Sequence, residues 1–227
     1  MTDARPPLSR IRWTAANRLV PTRFPSAGIL DRVAPPADLD AIVELEGWSN
    51  DRVNTERGLL HVVPREERVT GTPMASVVMA AFCHPRPGGG RFSQAGRGAW
   101  YAGRTLDTAL AESIHHRTRE LEEVGTYETR VQMRLYHADF NGTFHDLRGR
   151  AAQFPGVYAR DSYAASQRLG AALLAEHANG VVFDSVRHER GHCLACFRPA
   201  LVRNVRVAAH YEYVWEGRPQ PRVRRLG

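Results

Sequence analysis

Helical and strand periods both run through this sequence, but never in a regular strand–helix–strand alternation. Thr105 can cap a helix reaching about Glu123, with Asp107 suited to its first turn. Leu106, Ala109, Leu110, Ser113, Ile114 and Leu121 then share one face at the 3.6-residue period. Beyond it, Val131, Met133 and Leu135 alternate with Gln132, Arg134 and Tyr136, the period of a half-buried strand. Ser162 offers a cap for a second helix, carried by Ala165, Leu169, Ala172, Leu173 and Ala175 to a stop at Asn179-Gly180. Further strands are expected at Ala99–Ala102, Val181–Val186, Cys193–Phe197 and Val207–Val214. Met74–Phe82 fits either a buried strand or a buried helix, which periodicity cannot separate. Such a mixture predicts an α+β fold over a doubly wound sheet.

The flanks are less regular. Residues 1–37 are rich in Pro and Arg and read as an extended N-terminal segment with a turn around Pro21–Gly28. Asp38 can cap a short helix through Glu46, so the domain is expected over 38–216. Residues 217–227 form a basic tail, with Arg218, Arg222, Arg224 and Arg225 around Pro219 and Pro221. His84–Gly90, with two prolines and three successive glycines, is expected as a mobile loop. A hydrophobic share of 43% over 227 residues supplies a real core. The longest apolar run, Met74–Cys83, is about half of the roughly 20 residues a membrane helix needs. With no apolar stretch behind Met1–Pro7 and only three cysteines, a cytoplasmic location is expected.

Basic residues outnumber acidic ones by 31 to 24, and the positive charge is carried by arginine, the side chain best matched to phosphate and carboxylate. A GC-rich genome would write the same excess. Four segments carry the candidate chemistry: Gly89–Ser93 with Arg91, Trp100–Ala102 with Tyr101, Thr108–Glu112, and Gly180–Arg187 with Ser185. Taken singly, each has an ordinary explanation. Arg91 follows a glycine run as a surface arginine would, and Tyr101 suits strand packing. Glu112 lies beside Thr108 and His116, away from the apolar stripe, where a solvated glutamate belongs. Ser185 sits inside an apolar strand and needs a hydrogen-bond partner if buried. Because neither Arg91 nor Glu112 falls on an apolar stripe, each is expected to be replaceable without unfolding the chain.

Together these segments resemble the RES-domain family, named for its Arg, Glu and Ser. The resemblance extends over roughly residues 18 to 215. It runs through Thr22–Pro25, Asn50-Asp51-Arg52, Met79–Phe82, Arg91-Phe92-Ser93, Tyr101, Thr108-Ala109, Glu112 and His116-Arg117. It continues through Asp146-Leu147-Arg148, Tyr163, Ser166-Gln167, Ser185-Val186-Arg187 and Cys193 to Phe197-Arg198-Pro199. It implies a fold like the ADP-ribosyltransferase toxins, with mixed sheets flanked by helices, and a toxin that uses NAD⁺ as substrate. The implied activity is cleavage of the nicotinamide–ribose bond, by phosphorolysis with inorganic phosphate as co-substrate or by hydrolysis; the alternative is mono-ADP-ribosyl transfer to a protein. On this resemblance Arg91, Glu112 and Ser185 are the catalytic set. Arg91, Tyr101, Ser185, Arg187 and Arg23 would contact the dinucleotide, and no metal is needed. The implied partner is an Xre-type helix-turn-helix antitoxin that blocks the site, with a homodimer inside a larger hetero-oligomer and DNA reached only through the antitoxin.

Two readings compete. His188, His192, Cys193 and Cys196 contain a Cys-x-x-Cys, but strand alternation would send the two thiols to opposite faces. The net positive charge also permits a non-catalytic nucleic-acid-binding protein, although no helix-turn-helix, RNP or zinc-finger pattern is present.

Overall fold

A computed structural model describes residues 5–22 and 60–227. The helix expected from Asp38, the Asn50-Asp51-Arg52 motif and Arg23 lie outside the described residues. The elements are β1 (Leu8–Pro21), α1 (Ala75–Cys83), β2 (Trp100–Gly103), α2 (Leu106–Val124), β3 (Glu128–Asp146), α3 (Ala164–Ala175), β4 (Gly180–Asp184), β5 (His192–Cys196), β6 (Arg203–Glu216) and β7 (Arg222–Leu226). The strands form one seven-stranded sheet in the order β1-β2-β5-β4-β3-β6-β7, and β1 also pairs with β3. Only β3 and β4 are parallel; the rest is antiparallel, giving the α+β mixture the sequence predicts.

The long strand β3 organises the sheet. One of its edges runs along β1 from Met133 to His145. The other pairs first with β6 and then, at His145 and Asp146, with β4. The pairings therefore close a ring, β1–β2–β5–β4–β3–β1. The buried side of β3 changes along its length. Met133 and Leu135 pack under α2 with Tyr211, Tyr213 and Trp215, whereas Ala138, Phe140 and Phe144 pack on the opposite side with α1.

The N-terminal segment differs from its expectation as an irregular lead-in, because residues 8–21 are a fourteen-residue strand. A β-bulge interrupts the period. Ile11 and Trp13 point into the α1 core, Ala15 takes a left-handed φ of 52°, and inward alternation resumes at Ala16. The Ala15 N–H donates to Asp139 Oδ1 at 2.8 Å, which satisfies the amide the bulge frees. The basic tail likewise contains ordered structure: β7 pairs with β6, and Arg222 and Arg224 reach across to Glu216 and Glu212.

β4 and β5 are covered on both faces, which explains their near-continuous apolar sequences. Val182, Leu194 and Cys196 face the α1 core, and Val181, Phe183, Cys193 and Ala195 face α3 with Phe92, Leu147 and Leu173. Cys193 and Cys196 thus lie on opposite faces, as the alternation predicts. Met74–Phe82 resolves as helix, the choice periodicity left open. The Thr105 cap forms as expected, its hydroxyl accepting from the Thr108 N–H, and Gly125 closes α2 in the left-handed conformation. No helix among the described residues is long and apolar enough to cross a membrane.

Candidate active site in the cleft beside helix α2

A cavity of about 460 Å³ opens between the end of β1, the 84–93 loop, β2 and α2. Three of the expected residues line it: Arg91, Tyr101 and Glu112. Its size suits a small-molecule ligand. Glu112 is therefore not a solvated glutamate. The polar face of α2 turns into the cleft, and Thr108, one turn earlier on that face, is fully buried.

Ser185 stands behind the carboxylate. It lies one residue past β4, at the start of a turn and not inside the strand as expected. Its hydroxyl donates to Glu112 Oε1 at 2.6 Å and accepts from the N–H groups of Arg187 (3.1 Å) and His188 (3.0 Å). Two amides filling the oxygen's lone pairs leave the hydroxyl proton one direction, toward Glu112. The Cys193 thiol sits 3.8 Å from the same Oε1. Burial, and then the Glu112 charge, push that thiol well above its ordinary range, so it remains S–H and points a weak donor at the carboxylate.

Tyr101 anchors the opposite wall. Its hydroxyl accepts from the Phe92 N–H at 2.8 Å and lies 3.0 Å from Ser93 Oγ. Burial pushes the phenol up to about 12, so it stays protonated at ordinary pH. The loop fits this closely only because residue 90 is glycine: a Cβ there would lie 2.6 Å from the Tyr101 hydroxyl oxygen.

Arg91 overturns the surface reading. It is 7% exposed, and its Nη1 donates to the carbonyls of Val157 (2.9 Å) and Ala159 (3.0 Å). Its guanidinium also stacks 4.7 Å from the Tyr163 ring centroid. Arg187 does not line the cavity; its guanidinium donates to the Arg160 carbonyl.

Several lining residues are not among the candidate site residues read from the sequence. Arg18, on β1, donates Nη1 to the Tyr101 carbonyl at 3.1 Å and lies 4.8 Å from the Trp100 ring centroid. Burial, and then the charge of Arg86, lower it to about 10, with no carboxylate among the causes. Arg86 and Arg117 also line the cavity, both facing Glu120, at 3.5 and 2.5 Å. An arginine within the run Ala15–Pro21 was the available signal for Arg18, masked by the irregular reading of that segment.

The imidazoles of α2 report the same positive field. His116 is lowered to about 3 by burial, then by Arg86, His115, Arg117 and Arg187. His115 is lowered to about 4 by burial, then by Arg187 and Arg119. Unfolded, each takes up a proton near the ordinary value of 6.5; folded, each resists until far lower pH. The unfolded state therefore binds more protons in that window, and stability falls as pH drops from about 6.5 toward 3. His116→Asn is expected to flatten this acid limb, read as thermal midpoint against pH. An unchanged slope would show that His116 titrates normally in the fold.

No group of three or more metal-ligating side chains occurs among the described residues. The family model of the RES domain matches residues 65–216. The uncharacterized protein y4oC of Sinorhizobium fredii is 29% identical over 202 residues, spanning 88% of this chain and 82% of that one. A chain from the crystal structure of the M. tuberculosis MbcT–MbcA toxin–antitoxin complex aligns with a TM-score of 0.39 and 16% identity, over 55% of this chain and 72% of that one. The family match spans well over half of the sequence and takes in the whole Arg91–Tyr101–Glu112–Ser185 constellation, and the chain belongs to the RES-domain family.

Proposed function

We propose that this chain is a toxin-type enzyme that cleaves the nicotinamide–ribose bond of NAD⁺. One observation carries the reading: a single oriented carboxylate, Glu112, faces an otherwise arginine-rich cavity. The other acid of the lining, Glu120, is engaged by Arg117 and Arg86. Ordinary glycosidases need a second carboxyl group as general acid because their leaving group is a poor one. Nicotinamide leaves as a neutral pyridine, taking the electron pair of the broken C–N bond, and needs no proton. What remains is to stabilise the oxocarbenium-like ribose, which one fixed carboxylate does electrostatically. Arg18 and Arg91 supply positive charge for the pyrophosphate, and Tyr101 an aromatic wall for the nicotinamide.

The acceptor then attacks the anomeric carbon. Phosphate gives ADP-ribose-1″-phosphate; water gives ADP-ribose and a proton. The arginine lining favours a small anionic acceptor over a protein side chain. An Xre-type antitoxin seated over the cleft would silence the enzyme, and the assembly would be a hetero-oligomer of such pairs.

The test is incubation of the purified chain with NAD⁺, with and without inorganic phosphate, and identification of products by mass. ADP-ribose-1″-phosphate formed only with phosphate establishes a phosphorylase, and ADP-ribose in both a hydrolase. Intact NAD⁺ in both, together with no transfer of labelled ADP-ribose to lysate proteins, would overturn the reading.

A further inference from the structure

The turn that presents Ser185 is itself tied to α2 at a second point. Thr108 is fully buried, and its Oγ1 lies 2.9 Å from His188 Nδ1 and 2.9 Å from the hydroxyl of the cap residue Thr105. Thr108 and Glu112 are four residues apart, on the same face of the helix. His188 in turn donates its backbone N–H to Ser185 Oγ, and Ser185 donates to Glu112. The contacts close a ring: Thr108 side chain, His188 side chain, His188 amide, Ser185 hydroxyl, Glu112 carboxylate, and back through one helical turn. The turn is pinned at its base by the Ser185 N–H to the Gly191 carbonyl at 2.8 Å. Gly191 leaves the space in which the side-chain pair meets: a Cβ there would lie 2.7 Å from both Thr108 Oγ1 and His188 Nδ1.

We infer that the Thr108–His188 pair is a positioning device that holds the Ser185 turn against α2 and thereby aims Glu112. Neither residue lines the cavity, so neither is placed to touch a ligand bound there. Either His188 Nδ1 or the Thr108 hydroxyl can be the donor, and the hydroxyls of Thr108 and Thr105 rotate to suit. Valine at 108 breaks the contact while preserving shape.

This inference rests on Glu112 acting in NAD⁺ cleavage, so its test needs one readout with turnover and one without. Thr108→Val, His188→Ala and Gly191→Ala attack the same contact from three sides. Each is expected to speed amide hydrogen exchange at Arg187 and His188 by about tenfold or more, with the global thermal midpoint little changed. Each should also lower kcat for NAD⁺ loss by roughly 10- to 100-fold with KM nearly constant, as small misplacements of a reacting group do. Thr108→Val should add nothing further to Glu112→Gln, because the pair acts only through that carboxylate. Unchanged amide exchange would overturn the inference, as would faster exchange with an unchanged kcat. Absent turnover in the wild-type protein would count against the enzyme reading alone, while exchange would still decide whether the pair holds the turn.

Discussion

Glu112→Gln is expected to lower the rate of NAD⁺ cleavage by about a thousandfold, near 4 kcal/mol of barrier, without unfolding the protein. Glutamine keeps the shape, and its carbonyl oxygen can still accept the Ser185 hydroxyl that now reaches Oε1 at 2.6 Å. What is lost is the negative charge, the one thing the mechanism demands of this side chain. The distinguishing result is selective: cleavage disappears under single-turnover conditions while calorimetric binding of NAD⁺ and the thermal midpoint stay near wild type. A variant retaining activity within tenfold would show that the carboxylate orients and does not stabilise charge.

Arg91→Ala is expected to damage the fold as well as the activity, against the expectation from its position off any apolar stripe. Its guanidinium is the donor to two carbonyls, Val157 and Ala159, on the segment leading into α3. Removing it strands acceptors in a buried region and empties the space over Tyr163. A cost of about 2–4 kcal/mol follows from the loss of charge-assisted bonds and packing. For a protein of this size that is a fall of roughly 4–16 °C in thermal midpoint. Arg91→Lys should rescue little, since an ammonium cannot reproduce the planar stack and the fork of donors. An Arg91→Ala protein melting within about 2 °C of wild type would show that these contacts contribute little, leaving Arg91 free for ligand. If the midpoint does fall, lost activity in that variant says little about ligand contact. Arg18→Gln, at the cleft wall, is then a second probe of anion recognition, read together with its own thermal midpoint because Arg18 also donates to the Tyr101 carbonyl.

The helices and strands legible in the sequence are those whose signals are local. Thr105 and the Leu106–Ile114 stripe lie within one element, and so does the alternation of Val131, Met133 and Leu135. β1 is legible only in part: Arg10–Thr14 alternates, but the bulged residue Ala15 shifts the period midway, so the alternation does not extend over the fourteen residues. The site shows the same division. A helical wheel identifies which residues of α2 avoid the apolar stripe, but not that β1 and the 84–93 loop cover that face with a cleft. Arg91 looked superficial because the carbonyls that bury it lie more than sixty residues away. Ser185 and Glu112 become a pair only through the turn after β4; the family resemblance joined them where spacing could not.

The pairing of β1 with β3 also sets an order of assembly. β1 finds its partner more than a hundred residues later in the chain, and the Cys193 wall behind Glu112 comes later still. Contacts of such long range form slowly compared with a helix, whose bonds are all local. At ordinary synthesis rates of about 5–20 residues per second, α2 emerges several seconds ahead of β4 and β5. During that interval the carboxylate exists without its cleft, facing neither Ser185 nor Cys193. On the function proposed above, the site is therefore complete only once β4 and β5 have joined the ring. An antitoxin of the kind proposed above would have that interval in which to be waiting.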